Sequence, residues 1–310
     1  MTLIFKKPKA NTRRQWSKEE EEKLLKLIEK GLSPSEILAY FPDRSMISIK
    51  NKIRKLRIKY NLYGFDHQDK KSKILEKWLK RIKPKTVLEG FAGHGNLTKV
   101  YLGFAEEICA VEINKQIFKR LKENLEKILN LKAKKIENAN NVQIYKIKGN
   151  NKVIFLINSD IRDAIHYLAY HGYKFDFIDL DPCGTPIPFI PLIPKISKVG
   201  SHIAITYGDY HSLRFKRYDV LAKTIPILFD IRLREGFNLR LNKISFNEFI
   251  SYLLIWTCLL WILPQDVQNL VYLRLVEKHK FNGCILRALF RVEKGKANAQ
   301  VLRYIQSLLK

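Results

Sequence analysis

The most informative segment for the fold is Thr86-Val87-Leu88-Glu89-Gly90-Phe91-Ala92-Gly93-His94-Gly95-Asn96. A short apolar run comes first, three glycines follow closely, and a segment of helical character comes next. A buried strand that enters a helix through a glycine-rich turn is typical of α/β proteins, and such a turn lets the backbone approach a ligand closely. We therefore expect a ligand site at this turn.

Apolar strands alternate with helices on the C-terminal side of the glycine turn. This order predicts a mainly parallel sheet covered on both faces. The Asn282-Gly283 dipeptide between two further apolar runs predicts an antiparallel hairpin at the end of the chain. The predicted strands are Thr86–Glu89, Glu107–Val111, Asn141–Lys148, Lys152–Ile157, Phe175–Leu180, His202–Thr206, Val271–Lys278 and Cys284–Glu293.

The apolar stretch Phe249–Leu263 is followed by Pro264. A membrane-spanning helix needs about 20 apolar residues, so this shorter stretch predicts a helix buried against the sheet. The N-terminus lacks the pattern of a signal peptide. We expect a cytoplasmic protein without a membrane anchor.

The segment from Trp16 to Tyr60 predicts three short helices, with Ser17 and Glu20 at capping-box spacing. Its pattern of Trp-Ser-x-Glu-Glu, a leucine-rich helix, Gly-x-Ser-x-x-Glu-Ile and a basic last helix resembles the Myb/SANT-like family. The resemblance implies a helix-turn-helix domain over 1–62. It also implies nucleic-acid contacts from the last helix and the turn before it, at Arg44, Lys50, Lys52, Arg54, Arg57 and Lys59. The polar and basic segment 63–83 is expected to be a linker, and the alternation of strands and helices predicts an α/β domain over 84–310.

The chain carries 57 Lys and Arg against 30 Asp and Glu, a formal net charge of +27 at pH 7. So large an excess attracts polyanions and indicates nucleic acid as the partner. The four cysteines are far apart, without a metal-ligand spacing, so no metal site is expected. The oligomeric state stays open.

Glu112 ends the second predicted strand about 20 residues after the glycine turn, where an acid binds ribose hydroxyls in related folds. The Glu-Gly-Phe-Ala-Gly-x-Gly pattern resembles class I methyltransferases, which implies that fold and S-adenosylmethionine as the cofactor. The resemblance assigns Glu112 to ribose and Asp160, which follows the predicted strand Lys152–Ile157, to adenine. It assigns the turn to the methionine end, and the cofactor contacts it implies are Glu89, Phe91, Gly93, Gly95, Glu112, Asp160 and Asp179.

The motif Asp181-Pro182-Cys183-Gly184-Thr185-Pro186-Ile187-Pro188-Phe189 follows the predicted strand Phe175–Leu180. Methylation of an exocyclic amine requires oxygen acceptors that hold the NH2 group, and the Asp181 carboxylate and the Pro182 carbonyl are candidates. Phe189 is a candidate to stack on an extruded base. The motif resembles the tRNA guanine-N2 dimethyltransferases and, in Asp-Pro, the DNA amino-methyltransferases.

Cys183 leaves a second chemistry open, because cytosine-C5 methyltransferases use a Pro-Cys dipeptide whose thiolate attacks the base. Beyond the predicted strand His202–Thr206, candidates for contacts with the nucleic acid are Tyr210, Arg214 and Arg217. The sequence favours a methyltransferase that modifies an exocyclic amine in DNA. The alternatives are a tRNA guanine-N2 methyltransferase, a cytosine-C5 enzyme that uses Cys183, and a non-catalytic DNA-binding regulator.

Overall fold

The computed structural model describes residues 15–30, 32–60, 68–139, 141–149, 151–210, 212, 215, 217–226, 245–262, 271–281, 285–295, 303, 304 and 307. The chain divides into two compact units, Met1–Asp69 and Lys70–Lys310.

The first unit contains the three predicted helices, α1 (Lys18–Glu29), α2 (Pro34–Leu38) and α3 (Met46–Tyr60). Capping boxes begin the first two helices: the Ser17 hydroxyl accepts from the Glu20 amide, and the Ser33 hydroxyl accepts from the Glu36 amide. Each box satisfies backbone donors that a helix start leaves without a partner. The buried apolar side chains of the unit are Leu24, Leu27, Ile28, Ile37, Phe41, Ile49, Ile53 and Leu56.

Helix α4 (Gln68–Ile82) lies in the range 63–83 that was predicted as a linker. Its apolar face is fully buried through Leu75, Trp78 and Leu79, which pack against the second unit's sheet. The packed face explains the amphipathic pattern of this segment.

The described part of the second unit contains a nine-stranded sheet in the order β3-β4-β5-β2-β1-β6-β7-β9-β8. The middle strands β5, β2, β1, β6 and β7 are parallel, whereas β3, β4 and β9 pair antiparallel to their neighbours. The strands are β1 (Thr86–Glu89), β2 (Glu107–Glu112), β3 (Lys134–Ala139), β4 (Val142–Lys148), β5 (Val153–Asn158), β6 (Phe175–Leu180), β7 (Ser197–Tyr207), β8 (Val271–Phe281) and β9 (Ile285–Lys294).

Helices cover both faces of this sheet, in agreement with the predicted α/β class. They are α5 (Thr98–Tyr101), α6 (Lys115–Leu129), α7 (Ile161–Tyr170), a 3₁₀ helix (Ile187–Ile196), α8 (Tyr218–Thr224) and α9 (Phe246–Ile262). As predicted, α9 is a buried helix, and its side chains join the same core as those of β6 and β7. Within the described residues, none of the helices combines the length and apolar character that crossing a bilayer requires.

The register of the sheet brings three strand ends together. Glu89 of β1 pairs with Asp179 of β6, and Leu180 of β6 pairs with Ile205 of β7. Because these strands are parallel, the segments that follow them meet at one edge of the sheet, where open α/β sheets bind ligands. Strands β8 and β9 form the predicted antiparallel pair, and the predicted turn at Asn282-Gly283 lies outside the described residues.

Candidate active site

The glycine turn after β1 is fastened to its two neighbouring strands. The Gly90 amide donates to the Asp179 carbonyl at 2.8 Å, and the Gly93 amide donates to the Glu112 carboxylate at 3.0 Å. Gly93 and Gly95 have φ values of +55° and +84°, a region that favours glycine. A Cβ atom on Gly93 would meet nothing within 4 Å, so the backbone faces open space there.

Two carboxyl groups flank this turn. The second oxygen of Glu112 accepts from the Asn114 amide at 2.7 Å, so this side chain joins the end of β2 to the turn. Glu89 is buried, and its carboxyl group accepts from the Thr98 hydroxyl at 2.5 Å. Burial raises the pKa of Glu89 well above its usual value, against the hydrogen bond from Thr98, so its neutral form is favoured. Through the hydrogen bond with Thr98, Glu89 therefore joins the end of β1 to α5, the helix that follows the turn.

A cavity of about 450 Å³ lies beside the ends of β2 and β5, and Asn158, Ser159 and Asp160 line it. Within the described part of the chain, the buried Ser159 hydroxyl has no hydrogen-bond partner. The Asp160 carboxylate caps α7 through the Arg162 amide at 2.8 Å and pairs with the Arg162 guanidinium at 3.0 Å. Asp160 thus lines the cavity and also caps a helix.

Asp181 follows β6 and is the only acid of its loop, 181–186. Both of its carboxylate oxygens accept from the ammonium of Lys71, each at 2.7 Å. Burial alone would raise the pKa of Asp181, but the charges of Lys71 and Arg287 outweigh it and the pKa lies below its usual value. The carboxylate is therefore ionised and ready to accept hydrogen bonds.

The Asp181 loop is held against the segment after β7. The Gly208 amide donates to the Gly184 carbonyl at 3.0 Å, and a Cβ atom on Gly208 would come within 2.9 Å of that oxygen. Cys183 is exposed on this loop. The ring of Phe189 meets that of Phe91 edge to face at 5.2 Å, so the glycine turn adjoins the 3₁₀ helix that follows the Asp181 loop.

The prediction that Asp179 contacts a cofactor needs correction. Its side chain is inaccessible and forms an ion pair with the equally buried Arg287, at 2.6 and 3.1 Å. Arg287 also donates to the Thr206 hydroxyl at 2.8 Å, and the Tyr101 hydroxyl donates to Asp179. The Asp179 side chain is therefore engaged by partners inside the fold.

The segment after β7 contains a second buried acid, Asp209. Burial raises its pKa to about 6, against a hydrogen bond with Thr185. One of its oxygens has no hydrogen-bond partner among the described residues. Tyr210 packs on the rings of Phe246 and Phe249, Arg217 is exposed, and Arg214 lies outside the described residues.

Two of the cations predicted to bind nucleic acid serve the fold of the first unit instead. The buried Arg44 guanidinium donates to the Glu20 carboxylate at 2.6 Å and stacks on the Trp16 ring at 4.4 Å. Lys52 pairs with Glu21. The prediction for Arg44 is thereby corrected, because its donors and its flat face are engaged inside the unit.

The basic helix α3 keeps other cations on its surface. Lys50 and Arg54 are exposed one turn apart, with the exposed Ile47 one turn earlier. Arg57 and Lys59 lie in α3, but their side chains are outside the described part of the structure.

Sequence reasoning missed Lys71, Arg287, Tyr101 and Thr98, all of which pair with acids at the site. They lie in amphipathic or alternating segments without a local motif, so burial was the only signal available. The site residues that it did identify at β1, β2 and β6 share one edge of the sheet.

The strand order, with β9 antiparallel beside β7, defines a class I methyltransferase fold preceded by a three-helix unit. In the solved structures, Trm1 from Pyrococcus horikoshii with S-adenosyl-L-methionine matches at a TM-score of 0.57 and 16% identity, over 76% of this chain and 56% of that chain.

Known sequences resemble both units. The family model described as Myb-like DNA-binding domain matches residues 13–57. The tRNA (guanine(26)-N(2))-dimethyltransferase of Pyrococcus furiosus is 31% identical over 130 residues, which cover 41% of this chain and 32% of that protein. The protein of the same name from Methanothermobacter thermautotrophicus is 36% identical over 66 residues, 21% of this chain and 17% of that protein. The matched part of the chain thus spans about a third or less of these relatives.

Proposed function

We propose that this chain is an S-adenosylmethionine-dependent methyltransferase that modifies an exocyclic amine of a base in nucleic acid, with guanine N2 of a tRNA as the favoured acceptor. The observation that carries the proposal is the position of Asp181, whose strand is bonded to the glycine turn through Gly90 at 2.8 Å. Methyl transfer requires the amine and the cofactor to be bound next to each other. A carboxylate that accepts hydrogen bonds from the amine and a glycine turn that binds the cofactor, on adjacent parallel strands, would meet this requirement.

The residues around the turn fit the cofactor chemically. The open backbone at Gly93 suits the methionine end, and the Glu112 carboxylate suits the ribose hydroxyls. The polar cavity at Asn158, Ser159 and Asp160 suits adenine, and the buried Ser159 hydroxyl still lacks a partner among the described residues. When bound, the cofactor supplies the methyl group as an activated sulfonium.

The protein's own groups then orient the acceptor. The ionised Asp181 carboxylate accepts one N–H of the target amine, and the Pro182 carbonyl accepts the other. With both hydrogens held, the nitrogen lone pair points toward the methyl carbon, and the neighbouring Phe91 and Phe189 rings exclude water. The new N–C bond would form as the sulfur–methyl bond breaks, with S-adenosylhomocysteine as the leaving group. The nitrogen then carries one proton too many, and Asp181 is placed to accept it.

The identity of the acceptor rests on the relatives. The sequence favoured DNA, but both curated relatives are named as tRNA guanine-N2 enzymes, which supports tRNA. The Myb-like match over 13–57 supports duplex DNA as a second candidate. We assign 1–62 to nucleic-acid binding and 84–310, extended by α4, to catalysis.

The decisive experiment incubates the purified chain with labelled cofactor and, separately, with tRNA and duplex DNA, followed by mass spectrometry of the nucleosides. N2-methylguanosine in tRNA supports the proposal, and label only in DNA would shift it to the second candidate. Asp181→Asn should lose methyl transfer while calorimetry still detects S-adenosylhomocysteine binding. Asp219→Asn, at an exposed acid in α8, is the matched control and should keep full activity.

The cysteine alternative is tested in the same assay. Cys183→Ala should retain transfer, because the exposed thiol has no part in amine methylation. Loss of transfer, with 5-methylcytidine as the product of the unmodified chain, would establish the C5 chemistry instead. Absence of transfer to every nucleic acid, with cofactor binding intact, would favour the non-catalytic regulator.

A further inference from the structure

The ammonium of Lys71 occupies the place on Asp181 that the target amine needs. Its Nζ atom lies 2.7 Å from each carboxylate oxygen, so one nitrogen donates to both acceptors at once. Lys71 is itself only 6% exposed. An ammonium so far removed from water requires a carboxylate partner, and a buried pair with two short hydrogen bonds is well determined in its geometry.

Both hydrogen bonds that Lys71 makes with the described residues go to Asp181. Lys71 belongs to the first turn of α4, and the rest of that helix is anchored through Leu75, Trp78 and Leu79. The lysine stem is flexible, whereas the helix below it is fixed. The ammonium can therefore shift between the carboxylate oxygens without movement of the helix.

We propose that Lys71 is a positioning residue that holds the Asp181 carboxylate in the absence of substrate and yields one of its oxygens to the target amine. This inference rests on the proposed amine methylation. A carboxylate offers about four lone-pair directions, so Lys71 moves to one oxygen while the amine takes the other. Lys71 thus competes with the substrate and at the same time fixes the rotamer and the charge of the acceptor.

Lys71 affects both the binding of the amine and the charge of Asp181, and the other charged groups around Asp181 help to distinguish these two effects. Lys71 approaches from α4 and Arg287 from β9, while the acids Glu89 of β1 and Asp179 of β6 lie on the buried side. Arg287 remains paired with Asp179 whatever Lys71 does. Removal of Lys71 leaves burial opposed mainly by Arg287, so the pKa of Asp181 rises toward or above its usual value.

The test compares Lys71→Met and Lys71→Gln with Lys73→Met, a control that removes an exposed cation from the same helix. Relative to the control, Lys71→Met should lower KM for tRNA by about fivefold, the effect of one competing hydrogen bond. The acid limb of its kcat/KM profile should move to higher pH, because the lowering effect of the Lys71 charge on the pKa of Asp181 is lost. Lys71→Gln keeps a donor without the charge, so it should show the pH shift with a smaller change in KM.

A purely structural lysine would lower stability without moving the acid limb. A raised KM in Lys71→Met, or an acid limb that stays in place in both variants, would overturn the inference. Titration of the Asp181 carboxyl carbon by NMR, in cofactor-free protein, tests the pair without any activity. An Asp181 midpoint that rises in Lys71→Met supports the pairing even where the chain transfers no methyl group, and an unchanged midpoint overturns it.

Discussion

Arg287→Met should be among the most destabilising single substitutions in this protein. The Asp179 carboxylate has no accessible surface, and the change removes its partner, the Arg287 guanidinium, which lies 2.6 Å away. Breaking a buried ion pair by removing one partner costs about 3–5 kcal/mol, because the remaining charge stays desolvated. The Tyr101 hydroxyl still donates to Asp179, which places the expected loss of unfolding free energy near the lower end of that range.

Urea unfolding followed by tryptophan fluorescence measures this loss, since Trp78, Trp256 and Trp261 all belong to the second unit. Arg291→Met is the matched control on the same strand. Its guanidinium is about half exposed and lies 3.9 Å from its nearest acid, so the cost should stay below about 1 kcal/mol.

A second substitution shows whether the uncompensated charge is the cause. In the background of Arg287→Met, Asp179→Asn removes the stranded charge and should recover about half of the lost stability. A loss of less than about 1 kcal/mol in the single variant, or no recovery in the double variant, would refute the electrostatic explanation and leave only a packing effect.

Three other substitutions probe the site and the surface of α3. Gly95→Ala places a Cβ atom 2.7 Å from Leu121 Cδ1 at φ +84°, so it should destabilise the fold by about 1–3 kcal/mol and weaken S-adenosylhomocysteine binding in calorimetry. The pKa of Asp209 is raised from 3.8 to about 6 by burial, so the unfolded chain loses this proton first as pH rises, and stability falls between these values. At neutral pH, Asp209→Asn should therefore have a free energy of unfolding about 2–3 kcal/mol higher than the unmodified chain, measured by urea unfolding. This difference should disappear in acid. Replacing Lys50 and Arg54 together by Gln should reduce the salt slope of duplex DNA binding, measured by anisotropy, by about 2 without a change in stability; an unchanged slope would contradict a role for this helix face.

The sequence predicted the parts of the fold whose patterns are strong. The bounds of β1 and β6 coincide with the predicted ones, and most residues of both strands are buried. Strand β3 was not predicted, since Lys134–Ala139 is mostly exposed and polar and pairs at the sheet's edge. Strand β7 begins five residues earlier than expected, at Ser197, where polar residues and Gly200 mask the strand pattern.

For the site, the sequence identified residues whose chemistry is visible locally and missed those that act through burial. Asp181 and Gly93 stand in motifs, so the residues next to them along the chain are enough to suggest the roles that we propose for them. Lys71 and Arg287 lie 110 and 106 positions from Asp181 along the chain, in segments that resemble an ordinary helix and an ordinary strand. Only the packing of α4 and β9 against the sheet reveals that their charges lower the pKa of Asp181.

That arrangement has a consequence for how the site is assembled. Two acids two residues apart at the end of β6 would repel each other if the strand ended there alone, and each has its own cation from a distant element. Arg287 is buried beneath the sheet's edge and stays in place, whereas Lys71 reaches the carboxylate on a flexible stem from the first turn of a helix. Arg287 stays paired with Asp179, whereas Lys71 can, on our proposal, move to one Asp181 oxygen and leave the other for the substrate. A single cation shared by Asp179 and Asp181 could not serve both acids in this way. Its movement toward one carboxylate would leave the other buried carboxylate without a partner.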